Sequence, residues 1–597
     1  MIKKIFKKGA VIVLSAALIA SLTGCSALDT VYGGIFDFIF DDVLGITEEE
    51  TEETEEETEE ETSQSSSETE ETEEEEAEEE TDYSMPEYVG YDEETIKALC
   101  EELEDLASED DYDAIIECYE TLVDEFDILY DQEVLAYIRY CTDASNEDYY
   151  NDYNDLYLMV VDYADEAYMA MKDVLAGPCG DEFGDYLGEV LVSELDEYEE
   201  MTDQELEWAE EENDLVAEYN SAYEEFEASG SSDYSELNAA VGPIYLELVS
   251  LRTEMAQYYG YDNYAEYADA EVYDRDFSTE EAEVYHEAVK TFSEDYFNLL
   301  YNTYAYFGLY YAGISFSADD LVDIAYTYSS EISSYVTETL DIMMENDLCN
   351  IAEDDARING SFSTAFSSGA PTLFINMNGW SDFQTLTHEL GHCTNSYLTA
   401  DRGNILMSES RSYDILEIHS NGLEALYTNF YGDIYGSYAG YAYSFTLMEL
   451  MVNVVDGAIY DEFQREVYEN PDMTLDEINE LFYDLSVEYG NPYADGYSWT
   501  AVSHNFESPM YYISYGVSGL AALQIWALSV EDYDSAVSVW EDIVSTDASD
   551  IGYLELLEEC GLESFLDDGV AESVCSEALQ TAYSLTSQSS GIYYYQY

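Results

Sequence analysis

Apolar residues recur at helical spacing over long stretches of this chain, and only seven prolines in 597 residues interrupt them. Spacings of three and four residues gather apolar side chains on one face of a helix, whereas a half-buried strand needs strict alternation. The pattern is clearest over residues 96–106, 115–129, 195–219, 237–259 and 282–299. A mainly α fold is expected, with a small β-sheet near residues 372–376, Thr-Leu-Phe-Ile-Asn. With 47% hydrophobic residues, the chain can bury one or two large cores. No fixed internal period marks it as a solenoid.

One of the expected helices carries chemistry. Residues 387–393 read Thr387-His388-Glu389-Leu390-Gly391-His392-Cys393, an H-E-x-x-H arrangement in a chain with five histidines. At this composition, chance supplies on the order of 0.01 such matches. Residues i and i+4 of a helix lie about 6 Å apart on one face, close enough for two imidazoles to share one zinc ion. Glu389 sits one step round the helix, placed to take a proton from water as a general base. Phe383, Leu386, Leu390 and Cys393 form an apolar stripe, with the histidines on another face. The motif implies a zinc hydrolase with one Zn²⁺ per chain.

Such a site needs a third protein ligand. The segment 413–424, Tyr-Asp-Ile-Leu-Glu-Ile-His-Ser-Asn-Gly-Leu-Glu, reads as a helix with apolar Ile415, Leu416, Ile418 and Leu423. Glu417 lies 25 residues after His392, enough for a loop and a returning helix. Glu424, two turns further on the same face, is placed to accept a hydrogen bond from a liganding imidazole. His419 competes as a ligand but points to a different face.

Together these residues resemble the oligopeptidase F branch of the thimet-oligopeptidase-like zinc peptidases. The resemblance extends to Gly369-Ala-Pro-Thr-Leu-Phe-Ile-Asn-Met-Asn-Gly379, to Gly260-Tyr-Asp-Asn-Tyr-Ala-Glu-Tyr267, and to His504 followed by Tyr511, Tyr512 and Tyr515. It covers roughly residues 200–590, and more weakly the helical segment from about 85. It implies two helical lobes around a deep substrate channel, with the sheet beside the H-E-x-x-H helix. It also implies that His504 and a nearby tyrosine, Tyr515 or Tyr512 with Tyr511 still open, stabilise the oxyanion. Two departures stand out: Cys393 and His419 replace residues that are usually small. Cys393 is either a core residue or a thiol able to compete for zinc.

The N-terminus has Lys3, Lys4, Lys7 and Lys8 before a 13-residue apolar run, 10–22, the layout of a secretory signal. Leu22-Thr23-Gly24-Cys25 resembles a bacterial lipoprotein cleavage site, which implies lipidation of Cys25 and anchoring on the outer face of a cell membrane. Between Glu48 and Asp82 lie 22 acidic residues among Thr and Ser, a composition expected to form an extended stalk. The expected division is a signal at 1–24, anchor and stalk at 25–82, a helical region at 83–200 and a catalytic domain at 201–590. No other run of about 18 apolar residues is apparent as a membrane span.

Charge narrows the partners. The 14 basic residues face 138 acidic ones, which disfavours nucleic acid by repulsion of its phosphates. The eight cysteines after Cys25 lack C-x-x-C metal spacing and read mostly as buried thiols. The favoured function is hydrolysis of short oligopeptides outside the cell. An exopeptidase of the same fold and a non-catalytic peptide-binding lipoprotein are the alternatives.

Overall fold

The computed structural model describes residues 82–589, apart from 189–190, 194, 196–197, 199–201, 304, 355, 359, 400–411 and 549–550. The basic n-region, Cys25 and the acidic tract lie outside the described residues.

The chain opens with α1 (Glu93–Leu106), α2 (Tyr112–Thr142) and α3 (Glu147–Ala176). α2 and α3 start at side-chain caps: Asp111 accepts the Ala114 N–H, and Asn146 accepts the backbone N–H groups of Asp148 and Tyr149, which the first turn leaves without helical partners. Ile96, Leu103, Leu122, Phe126, Ala167 and Val174 close one core among these helices. Helices α4 (Asp203–Ser229) and α5 (Tyr234–Tyr259) follow. The apolar pattern from 195 overstates α4. Thr202 and Glu205 form a reciprocal capping box that starts the helix at Asp203.

The stretch 282–299 is likewise two helices, α6 (Thr279–Lys290) and α7 (Ser293–Asn302). Between them the Thr291 hydroxyl donates to the Ala288 carbonyl at 2.6 Å, and the Phe292 N–H turns back to Val289 at 3.1 Å. The backbone here passes into three-residue bonds, Thr291 N–H to Ala288 and Phe292 N–H to Val289, and apolar spacing does not register that change.

Strands β1 (Cys349–Ala352), β2 (Ser361–Ala365) and β3 (Pro371–Asn376) make one sheet of order β1-β3-β2. The stretch 369–379 is similar to an edge strand of the family named above, whereas here β3 is central: it pairs parallel with β1 and antiparallel with β2 and is buried along nearly its whole length. Phe374 pairs with Phe362 across the ladder, and Tyr137 of α2 lies 4.9 Å from the Phe362 ring. Asp131 of α2 accepts the Ser367 N–H at 2.7 Å. The early helices are thereby fastened to the sheet.

The remaining elements used below are α8 (Asp382–Thr399), α9 (Tyr413–Tyr427), α10 (Ala439–Glu469), α11 (Tyr512–Glu531), α12 (Tyr533–Val544) and α13 (Val570–Ser589). Leu447, Leu450, Val454, Leu520, Leu523 and Ala578 belong to the larger core. α10 and α11 cross at a glycine pair, where a Cβ on Gly457 would fall 2.6 Å from the Gly516 Cα. By length and composition α11 is a run the sequence reading passed over, since it is apolar enough to cross a membrane. Its side chains are instead mostly buried inside the protein, as in a core helix. Among the described residues the cysteines are free thiols, six of them buried. The fold class is mainly α, with a three-stranded sheet beside the H-E-x-x-H helix.

Candidate active site

The H-E-x-x-H helix, α8, is held by its apolar stripe. Phe383, Leu386, Leu390 and Cys393 are all buried, with the Phe383 ring against Tyr427 and Tyr435. Cys393 points its sulfur at the Thr372 carbonyl of β3, 3.9 Å away, and burial pushes its thiol well above the ordinary range. It is a packing residue in neutral form, not a competing thiolate.

That stripe leaves His388 and His392 facing one another, ring centroids 5.1 Å apart. α9 brings in Glu417, whose Oε2 lies 3.4 Å from His388 Nε2 and 3.6 Å from His392 Nε2. These gaps are long for hydrogen bonds. They match the spacing of about 3.3 Å that bonds of roughly 2.0–2.1 Å set between ligands of a tetrahedral ion. His388, His392 and Glu417 form the candidate metal group, their ligand atoms all within 4.8 Å of one another. The donor set, two imidazoles and a carboxylate with one position open, fits zinc.

The surroundings prepare those atoms. His388 Nδ1 donates to Glu424 Oε1 at 2.8 Å, which fixes the tautomer and leaves Nε2 with its lone pair towards the site. The Ser420 hydroxyl donates to Glu417 Oε2 at 3.0 Å. Burial alone would raise the Glu417 carboxyl, but the two imidazoles beside it overcome that and hold it well below the usual carboxylate range. His419 is buried on another side of α9 and is not part of the metal group; its carbonyl accepts the Trp540 indole N–H at 3.0 Å.

The close approach of α8 and α9 depends on Gly391. A Cβ there would fall 2.4 Å from the His419 carbonyl oxygen and 2.6 Å from the Ser420 Cα. Only a residue without a side chain lets α9 come near enough for Glu417 and Glu424 to reach the histidines.

Glu389 is 2% exposed, and burial pushes its carboxyl upward against the opposing pull of His388 and His392. The Ser363 side chain of β2 also favours its charged form. A buried carboxyl poised above its ordinary range suits proton uptake near neutral pH. His504, also buried, is driven by burial down to about 4, with the Glu417 carboxylate opposing, so its imidazole is neutral at pH 7. Tyr515 Oη lies 3.5 Å from His504 Nε2, and the rings of Tyr511, Tyr512 and Tyr515 surround that imidazole at 5.5, 5.2 and 5.9 Å. Tyr512 also packs on Tyr460, at 4.8 Å.

Sequence reasoning missed Gly391, Ser363 and Ser420. The glycine was visible inside the motif, although nothing in the chain says which backbone passes over it. Ser363 gives no signal, because its partner lies 26 residues away on a different element.

Neither the family models nor the curated proteins give a match to this sequence. Solved structures do. PZ peptidase A with an inhibitor aligns over 84% of this chain and 99% of its own, with TM-score 0.66 and 21% identity. A protein described as a candidate oligoendopeptidase F from Bacillus anthracis aligns over 83% of this chain and 97% of its own, with TM-score 0.65 and 22% identity. A second candidate oligoendopeptidase F covers 85% and 99%, at TM-score 0.65 and 22% identity. At such identities the likeness concerns architecture. The chain is similar in fold to oligoendopeptidase F-type peptidases over most of its length and nearly all of theirs.

Proposed function

We propose that this chain is a zinc-dependent endopeptidase that hydrolyses short oligopeptides. The observation that carries the reading is the convergence of His388, His392 and Glu417 on one point, with Glu389 buried beside them. When bound, zinc supplies Lewis acidity towards the scissile carbonyl and brings the pKa of water to about 7. Glu389 takes the proton from the attacking water and returns it to the leaving amine. Glu424 keeps His388 in the tautomer that presents Nε2. Neutral His504 and the Tyr515 hydroxyl are donors for the charge developing on the carbonyl oxygen.

Cleavage of an oligopeptide blocked at both termini tests the endopeptidase reading, since an exopeptidase needs a free end. Internal cuts support it, and cutting of only the unblocked peptide sinks it. For Tyr515→Phe, kcat is expected to fall at least about tenfold with KM little changed, as for loss of one oxyanion donor. Unchanged turnover would remove Tyr515 from the mechanism.

We also propose that the enzyme acts at the outer face of a bacterial cell membrane through lipid on Cys25. This rests on the Lys-rich start, the apolar run and Leu22-Thr-Gly-Cys25. Cys25→Ala is expected to abolish incorporation of labelled fatty acid and release the protein from membranes. Equal labelling of parent and variant would refute the anchor.

A further inference from the structure

A buried ionic cluster joins the two segments that carry the site, and the chemistry proposed above does not use it. The side chain of Arg275 is wholly buried. It donates to Asp269 Oδ1 at 2.8 Å, to the Met510 carbonyl at 2.8 Å and to Ser514 Oγ at 3.0 Å, with Nε 3.4 Å from Asp414 Oδ1. The Ser514 hydroxyl donates in turn to the same Asp414 oxygen, at 2.6 Å. Behind them Arg465 bonds Asp269 and Asp461, the latter also 2.7 Å from His286 Nε2.

The positions of these partners matter. Asp414 lies in the first turn of α9, one turn before Glu417 on the same face. Ser514 directly precedes Tyr515 in α11, and Met510 directly precedes Tyr511. Met510 has φ +71°, a left-handed conformation that L residues adopt at a cost and keep only where surroundings over-determine it. Here its carbonyl is taken by Arg275, and its N–H is taken by the Gln464 side chain. A buried ion cluster is in itself a weak source of stability. This one directs a single guanidinium to the ligand helix and to the tyrosine turn at once.

The geometry points to Arg275 as a positioning residue for peptide hydrolysis: it fixes the helix bearing Glu417 against the turn that aims Tyr511, Tyr512 and Tyr515. The inference rests on the peptidase reading above. Arg275 does not touch substrate; it acts through Asp414, Ser514 and the Met510 carbonyl.

The test uses the full chain loaded with zinc, as parent, Ser514→Ala and Arg275→Lys, with Glu389→Gln alongside. Lysine keeps the charge but loses the planar fork that reaches four partners together. For Ser514→Ala, kcat on a doubly blocked peptide is expected to fall about tenfold through misplacement of the donors, with KM within about twofold and equal bound zinc. Backbone amides of residues 510–516 should exchange with deuterium faster than in the parent, while those of 241–249 in α5 should not. Arg275→Lys should show the same split, more strongly. If it does not fold, Ser514→Ala decides. Parent-like kcat, a change in KM alone, or exchange at 510–516 equal to the parent's overturns the positioning role. So does exchange raised evenly along the chain, which marks general destabilisation. An inactive parent, or a fully active Glu389→Gln, sinks the peptidase reading instead. The exchange pattern then still decides the clamp: locally faster exchange supports it, unchanged exchange refutes it.

Discussion

Glu389→Gln is expected to lower kcat by about 10²–10⁴-fold while leaving bound zinc at the parent's level. Glutamine keeps the shape, but it cannot take a proton. The candidate metal group is His388, His392 and Glu417, and Glu389, although beside it, is not one of its members. Turnover and metal content measured on the same preparations separate the two roles. Loss of zinc together with activity would make Glu389 structural, and retained turnover would end the proposed mechanism.

Gly391→Ala is expected to damage both the fold and the metal site. The new methyl would sit 2.4 Å from the His419 carbonyl oxygen. Neither atom can rotate away, because both lie on or next to helix backbone. α9 is also held against α12: a Cβ on Gly422 would meet Trp540 at 2.7 Å, and Trp540 donates to the same His419 carbonyl that faces Gly391. Overpacking of this kind costs about 1–3 kcal/mol or more. Any shift that relieves it moves Glu417 and Glu424 away from the histidines together. A lower melting temperature of the metal-free protein and at least about tenfold weaker zinc binding in a chelator competition are expected, since lost outer-shell support alone costs about 10–100-fold in affinity. Parent values for both would show that α8 and α9 are not held at that contact.

The two experiments fall on opposite sides of what the chain declares about itself. Helical periodicity found α1, α2 and α5 because side chains three and four residues apart must share a face whatever surrounds them. It misplaced the start of α4 and ran α6 into α7, because the first is set by the Thr202–Glu205 capping box and the second by the backbone turn at 291–292 rather than by apolar spacing. The H-E-x-x-H motif was legible for the same local reason: two ligands one turn apart need nothing but a helix. Glu417 and Glu424 could be nominated from their shared face, yet only the packing of α9 over Gly391 brings them to His388 and His392.

By itself, then, the sequence pointed to the helical class, to a strand near 372–376 and to the two histidines with Glu389 between them, all features of single elements. The tertiary structure decided which backbone passes over Gly391, that Ser363 acts on Glu389, and that Arg275 ties Asp414 to Met510 and Ser514. Those partners are from 26 to 239 residues apart, so no local period records them. They meet because burial leaves polar atoms only each other to satisfy.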